Sequence, residues 1–140
     1  MPTSSDAHQR AYTVLNASVV PLWAAMILAP RSRLTARLVD RSTPLFAVLG
    51  ATYVAQLTRA MASGAVLDFR SVEATRAALS RPDAFLAGWN HYLVFDLFVG
   101  RWVWATAVAE GRRCRLALLL TWLVGPAGLL LFLAQRRSIA

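Results

Sequence analysis

Two ionisable side chains inside a long apolar stretch, residues 88–102, are the strongest candidates for chemistry in this sequence. His91 and Asp96 stand there among aromatic and aliphatic residues. Imidazole and carboxyl groups exchange protons, so the two could supply a general acid and a general base. They are five positions apart, which is roughly 140° around an ideal helix and about 7.5 Å along it. This separation suits groups that act on opposite ends of one substrate better than it suits a hydrogen-bonded dyad.

Four further polar side chains inside the apolar stretches could orient a substrate: Asn16, Gln56, Asn90 and Tyr92. In helices that alternate in direction, the three amides fall at one membrane level and Asp96 lies deeper. This pattern predicts a polar pocket that opens on one membrane side, with a carboxyl group at its floor. The alternative for the amides is structural, because such residues commonly form interhelical hydrogen bonds in membranes. A charged residue at the bilayer centre costs roughly 2.5–3.5 kcal/mol, which favours a functional role for Asp96.

The side chains of a metal or cofactor site are missing from the sequence. One histidine and one aspartate in the apolar stretches fall short of the three protein ligands of a catalytic zinc. No phosphate loop and no serine–histidine–aspartate elbow occurs, so we expect no metal and no cofactor. Cys114 is the one cysteine, which excludes an internal disulfide. It lies among Arg112, Arg113 and Arg115, which predicts a lowered pKa for the thiol, although a lone cysteine in a loop is more often incidental than reactive.

The elements that must hold these side chains are helices, and the apolar stretches predict four of them. The chain is 57 % hydrophobic, which is too apolar for an ordinary soluble domain of 140 residues. Prolines and charged connections bound transmembrane helices over about 13–29, 44–58, 82–104 and 116–134. A soluble bundle is disfavoured because none of these helices shows a charged face. We predict an all-α, integral membrane four-helix bundle, with a disordered tail (1–11), one domain (12–136) and a C-terminal tail (137–140).

Two local features modify these helices. Pro21 and the pair Gly125-Pro126 each remove a helical hydrogen bond, which predicts kinks that either open space between helices or serve packing. Gly128 would then lie at a close helix contact. The longest connection, 59–83, contains a stretch from Leu67 to Leu79 with helical spacing of its apolar residues. This stretch predicts a short amphipathic helix on the membrane surface.

The distribution of charged residues predicts the topology of the protein in the membrane. All fifteen basic residues are arginine, and the net charge is +8. Seven of the arginines lie in the connections 31–41 and 110–115, which the positive-inside rule assigns to the cytoplasm. We therefore expect a multi-pass protein of the inner (plasma) membrane with both termini non-cytoplasmic. Because the arginines lie between or beside apolar runs, we expect membrane lipids and no nucleic acid as partners.

The third apolar stretch also resembles the signature of a known family. Its pattern W-x-H-x-L-x-x-D-L-F-x-x-R, residues 89–101, is similar to the hallmark stretch of the abscisic-acid-deficient-four-like membrane proteins. Pro21 followed by M-I-L-A-P at 26–30, and G-P-x-G at 125–128, agree with the same family. The likeness covers about residues 16–132, which is nearly the whole chain.

The resemblance implies a four-span protein of plastids and bacteria, with this chain as a bacterial member. Plant members are required for making neoxanthin from violaxanthin, a conversion that opens an epoxide and leaves an allene. For this chain it implies an epoxy-carotenoid isomerase, or an essential subunit of one, with an apolar isoprenoid or carotenoid ligand and partner enzymes of the same pathway. His91 and Asp96 would transfer protons, and the substrate would contact Asn16, Gln56, Trp89, Asn90, Tyr92 and Arg101. The alternative is a non-catalytic scaffold that binds lipid or pigment, in which the polar residues are structural.

Overall fold

A computed structural model describes residues 6–66 and 68–137 of the chain. Within these ranges the protein forms seven helices and no strand. The helices are α1 (Asp6–Leu28), α2 (Arg33–Asp40), α3 (Thr43–Ala62), α4 (Val72–Leu79), α5 (Pro82–Ala109), α6 (Arg115–Val124) and α7 (Pro126–Arg137). The predicted all-α class is therefore confirmed.

Three of these helices, α1, α3 and α5, are long and apolar enough to cross a membrane. They correspond to the first three predicted spans and are consistent with a membrane protein. The fourth predicted span is divided into α6, of 10 residues, and α7, of 12 residues. Neither half has the roughly 17 apolar residues that one crossing needs. The four-helix bundle is therefore not confirmed.

The division between α6 and α7 has a local cause. Pro126 has no backbone N–H, so the Trp122 carbonyl loses its helical donor. Gly125 turns the chain at φ +41°, in a region that favours glycine over residues with a Cβ. The kink predicted at this pair is a complete break between two helices. Pro21, in contrast, lies inside α1, which continues to Leu28.

The helix bounds near the N-terminus and in the connection 59–83 differ in part from those predicted from the sequence. Residues 6–11 were predicted as tail but are helical, because α1 begins at Asp6. Residues 1–5 and 138–140 lie outside the described ranges. The amphipathic helix predicted from Leu67 begins at Val72, where the Ser71 side chain accepts a hydrogen bond from the Ala74 N–H. Leu67 itself is outside the described residues.

The chain forms two compact units, and α1 and α5 contribute residues to both. The first unit consists of 1–18 and 45–94, and the second of 19–44 and 95–140. The first unit buries a cluster of small side chains, Ala60, Ala65 and Ala84, together with larger ones such as Leu49 and Leu86. The second unit buries larger side chains, including Trp23, Met26, Leu97 and Phe132.

Candidate functional site

An amide pair is buried in the first unit. Asn90, which is fully buried, donates from Nδ2 to the Leu49 carbonyl oxygen at 2.9 Å and to Oε1 of Gln56 at 3.3 Å. These bonds connect α5 to α3 through two of the amides that the sequence predicts at one membrane level. The Oδ1 atom of Asn90 is also buried, and no donor among the described residues reaches it. The pair therefore keeps one unsatisfied acceptor in the interior of the unit.

A second amide of this unit lies beside aromatic rings. The Trp89 indole N–H donates to Oδ1 of Asn16 at 3.3 Å, and Nδ2 of Asn16 donates to the Tyr12 carbonyl oxygen at 2.7 Å. Tyr12, Phe85 and Trp89 contact one another, with ring centroids 5.3 to 6.4 Å apart. Two of the predicted contact residues, Asn16 and Trp89, are thus together against an aromatic surface. Such a surface suits an apolar ligand that carries one polar group.

His91 and Tyr92 occupy a different face of α5 from Asn90. Both are exposed, and Tyr92 retains 65 % of its accessible surface. The His91 ring lies 6.0 Å from the Tyr53 ring and 6.4 Å from the Tyr92 ring, measured between centroids. Both rings therefore lie on an outward-facing side of an apolar helix that is long enough to cross a membrane. A substrate that contacts them would approach from that side.

Asp96 belongs to the second unit, where it faces the break between α6 and α7. A Cβ atom added to Gly125 would lie 2.9 Å from Oδ1 of Asp96, so the missing side chain of this glycine is what admits the carboxyl group. Asp96 is half-buried and makes no ion pair or hydrogen bond within the described part of the chain. Backbone breaks at membrane depth are typical of places where a ligand or ion binds. The half-buried Arg101 lies on α5 in the same unit.

Two glycines hold helices of the second unit close together. A Cβ on Gly128 would overlap the backbone and side chain of Thr121, so α7 folds tightly against α6 at the contact that the sequence indicated. A Cβ on Gly100 would overlap the indole ring of Trp23. We did not anticipate the second contact. Its only signal in the sequence is a glycine between aromatic residues.

The prediction for Cys114 is wrong. Its side chain is buried, and burial raises the pKa of the thiol because it disfavours the thiolate. Arg31 and Arg115 act in the opposite direction, but more weakly. The thiol is therefore a small buried apolar group at the start of α6.

Over the described residues, these observations define a class: an all-helical protein whose long apolar helices carry buried amides and a carboxyl group without an ion-pair or hydrogen-bond partner. Compared with known families, the chain matches the ABA DEFICIENT 4-like family over residues 10–132. It therefore belongs to the ABA DEFICIENT 4-like family, as the resemblance of its third apolar stretch indicated. Family membership and the apolar helices together fit a membrane protein linked to neoxanthin synthesis. No curated protein and no solved structure matched the chain.

Proposed function

We propose that this protein acts on an apolar isoprenoid or carotenoid within the membrane, as an epoxy-carotenoid isomerase or an essential subunit of one. The family supports the substrate class, and the apolar helices α1, α3 and α5 support the location. The observation that carries the proposal is Asp96, which has no hydrogen-bond or ion-pair partner among the described residues and faces the Gly125 break. An unpaired carboxyl group in an apolar segment costs free energy, and such residues are retained mainly for function.

The proposed reaction needs proton transfer and no oxidant or reductant. The epoxide oxygen gains a proton as one C–O bond breaks, and the electron pair of that bond stays on the oxygen. A base removes a proton from the polyene, and the electrons of that C–H bond form the extra double bond of the allene. The product is an isomer of the substrate. We assign the two proton transfers to Asp96 and His91.

The amides would orient the polar end of the substrate. The buried Oδ1 of Asn90 has no donor among the described residues, and an unsatisfied buried acceptor costs about 1–3 kcal/mol. A hydroxyl group on the end ring of a carotenoid is a donor that could satisfy it. Asn16, Gln56, Trp89, Tyr92 and Arg101 complete the proposed contacts with the substrate.

The test uses the purified protein in lipid nanodiscs with violaxanthin and a pool of bacterial carotenoids, analysed by liquid chromatography and mass spectrometry. Wild type should form a new isomer of unchanged mass. Because a general acid or base contributes roughly 10²–10⁴-fold, Asp96→Asn should lower the rate by at least about a hundredfold, and His91→Ala should also lower it. Asp83→Asn is the matched control, since Asp83 lies in the first turn of α5. Normal turnover by Asp96→Asn would overturn the catalytic assignment.

A non-catalytic scaffold that binds pigment is the second candidate. It is favoured by the bonds from Asn90 to Leu49 and Gln56, which stabilise the first unit whether or not a reaction occurs. In this case unchanged pigment would co-purify with wild type, Asp96→Asn and His91→Ala alike. The same chromatograms therefore distinguish the two candidates.

A further inference from the structure

We propose that the arginine-rich end of the second unit holds a binding site for the phosphate of an anionic lipid headgroup. A cavity of about 1040 Å³ lies where the end of α1, the end of α5 and the start of α6 meet. Its wall includes the apolar side chains Leu28, Val108 and Leu116, and its rim includes Arg31, Arg113 and Arg115. We call this space the headgroup cavity. The inference does not depend on the proposed isomerase.

The three rim arginines carry positive charge that no ion pair within the described residues compensates. No carboxylate in the described ranges forms an ion pair with any of them. Arg112, which also lines the cavity, is different because its Nε donates to Oε2 of Glu110 at 2.7 Å. The rim is therefore a concentrated positive site rather than one side of an internal salt-bridge network.

Backbone contacts hold two of the rim guanidinium groups in place. Arg31 donates from Nη2 to the Gly111 carbonyl oxygen at 2.9 Å, and Arg115 donates from Nη2 to the Leu28 carbonyl oxygen at 3.1 Å. A guanidinium group has five N–H donors, so each retains donors for a ligand. Preorganised guanidinium groups suit phosphate oxygens, which they bind in bidentate fashion.

The start of α6 also favours the binding of an anion in this cavity. The cavity includes Cys114 and Arg115, where the helix begins, and Cys114 caps it without a side-chain hydrogen bond. The first N–H groups of a helix and its dipole favour a negative charge at this end. The arginines and the backbone N–H groups therefore favour an anion, and the cavity has the space to hold one.

The apolar wall identifies the source of the phosphate. A free phosphate ion would fill the charged rim and leave Leu28, Val108 and Leu116 uncovered. A phosphodiester that carries acyl chains would cover them, because these residues lie at the ends of apolar helices. Phosphatidylglycerol has this chemistry, and polybasic sites beside membrane spans bind such headgroups.

Binding is measured by native mass spectrometry of the detergent-purified protein, with phosphatidylglycerol or phosphatidylcholine of the same acyl chains. Arg113→Gln is the first variant, because Arg113 makes no hydrogen bond or ion pair with any of the described residues. Arg31→Gln/Arg113→Gln is the second. Arg37→Gln, an exposed residue of α2 outside the cavity, is the matched control for the loss of one charge. Inorganic phosphate is added as a competitor in a separate arm.

We expect phosphatidylglycerol to bind more tightly than phosphatidylcholine. Each rim arginine should contribute about fivefold, so Arg113→Gln weakens binding about fivefold and the double variant about 25-fold. Arg37→Gln should bind as wild type does. Equal binding of the two lipids, or an equal loss in Arg37→Gln, would overturn the site. Displacement of the lipid by millimolar inorganic phosphate would show a soluble-phosphate site and overturn the lipid assignment.

Discussion

Two polar residues of α5, Asn90 and Asp96, differ sharply in how the protein satisfies them. The Asn90 side chain is fully buried and donates two hydrogen bonds, to Leu49 and Gln56. Asp96 is half-buried and has no partner among the described residues. Replacing Asn90 removes two hydrogen bonds, whereas replacing Asp96 by asparagine breaks no hydrogen bond or ion pair among the described residues. The two variants should therefore differ in how much they lower stability.

We expect Asn90→Ala to lower the free energy of unfolding by about 1–2 kcal/mol, because two hydrogen bonds are lost inside the first unit. Asp96→Asn should change it by less than about 0.5 kcal/mol, since surrounding contacts are kept and no partner is stranded. Urea unfolding in detergent, followed by circular dichroism, measures both. A large loss of stability in Asp96→Asn would show that its carboxyl group is structural.

At the scale of the helical elements, the break between α6 and α7 depends on Gly125. Its φ of +41° is unfavourable for a residue with a Cβ, and that Cβ would also lie 2.9 Å from Oδ1 of Asp96. We expect Gly125→Ala to destabilise the protein by about 1–3 kcal/mol. Gly50→Ala is the control, because no atom lies within 4 Å of its added Cβ. In the helix α3, that change should be neutral or stabilising by about 0.5–1 kcal/mol.

Glu110 connects the end of α7 to the connection that follows α5. Arg136 donates to Oε1 of Glu110 at 2.6 Å, and Arg112 donates to Oε2 at 2.7 Å. The hydrogen bond from Arg136, more than that from Arg112, lowers the pKa of Glu110 below its ordinary value of 4.5. Because the folded state favours the ionised form, this contribution is complete above that value and is lost as pH falls through the lowered pKa.

Glu110→Gln tests this contact. The variant should unfold at a slightly lower temperature than wild type at pH 7, and the difference should disappear near pH 2 and shrink in high salt, because the group is on the surface. Thermal unfolding followed by circular dichroism at the two pH values gives the comparison. A difference that persists unchanged at low pH would mean that the ion pairs are not its cause.

The sequence predicts the elements of this protein better than it predicts their contacts. Apolar length and bounding prolines identify the three long helices, and Pro126 indicates an interruption because it lacks an N–H. The helix is fully broken at this point because Gly125 adopts a positive φ, and the sequence does not specify that angle. The Cys114 prediction failed because neighbouring arginines are visible in a sequence, whereas burial is not. The assignments of His91 and Asp96 as catalytic groups stay predictions.

At the scale of the whole molecule, the exposed apolar side chains favour a bilayer over water as the surroundings of the protein. Large apolar residues of the long helices remain exposed, among them Val14, Val48, Val54, Phe95 and Phe98. Long helices that expose many large apolar side chains are typical of membrane spans rather than of soluble domains. In a bilayer the same side chains contact acyl chains, which leaves the buried amides and the unpaired carboxyl group as the groups that require explanation.

The tryptophan residues make the two compact units optically distinguishable. Of the five tryptophans, only Trp89 belongs to the first unit, and the second contains Trp23, Trp102, Trp104 and Trp122. The rings of Trp23 and Trp122 lie 6.1 Å apart with 15° between their planes, a geometry in which two indoles couple. Intrinsic emission of the protein therefore reports mainly on the second unit. Replacing Trp89 by phenylalanine would remove the tryptophan fluorescence of the first unit. Thermal unfolding of the second unit could then be followed in the variant, and that of the first unit from the difference between wild type and variant.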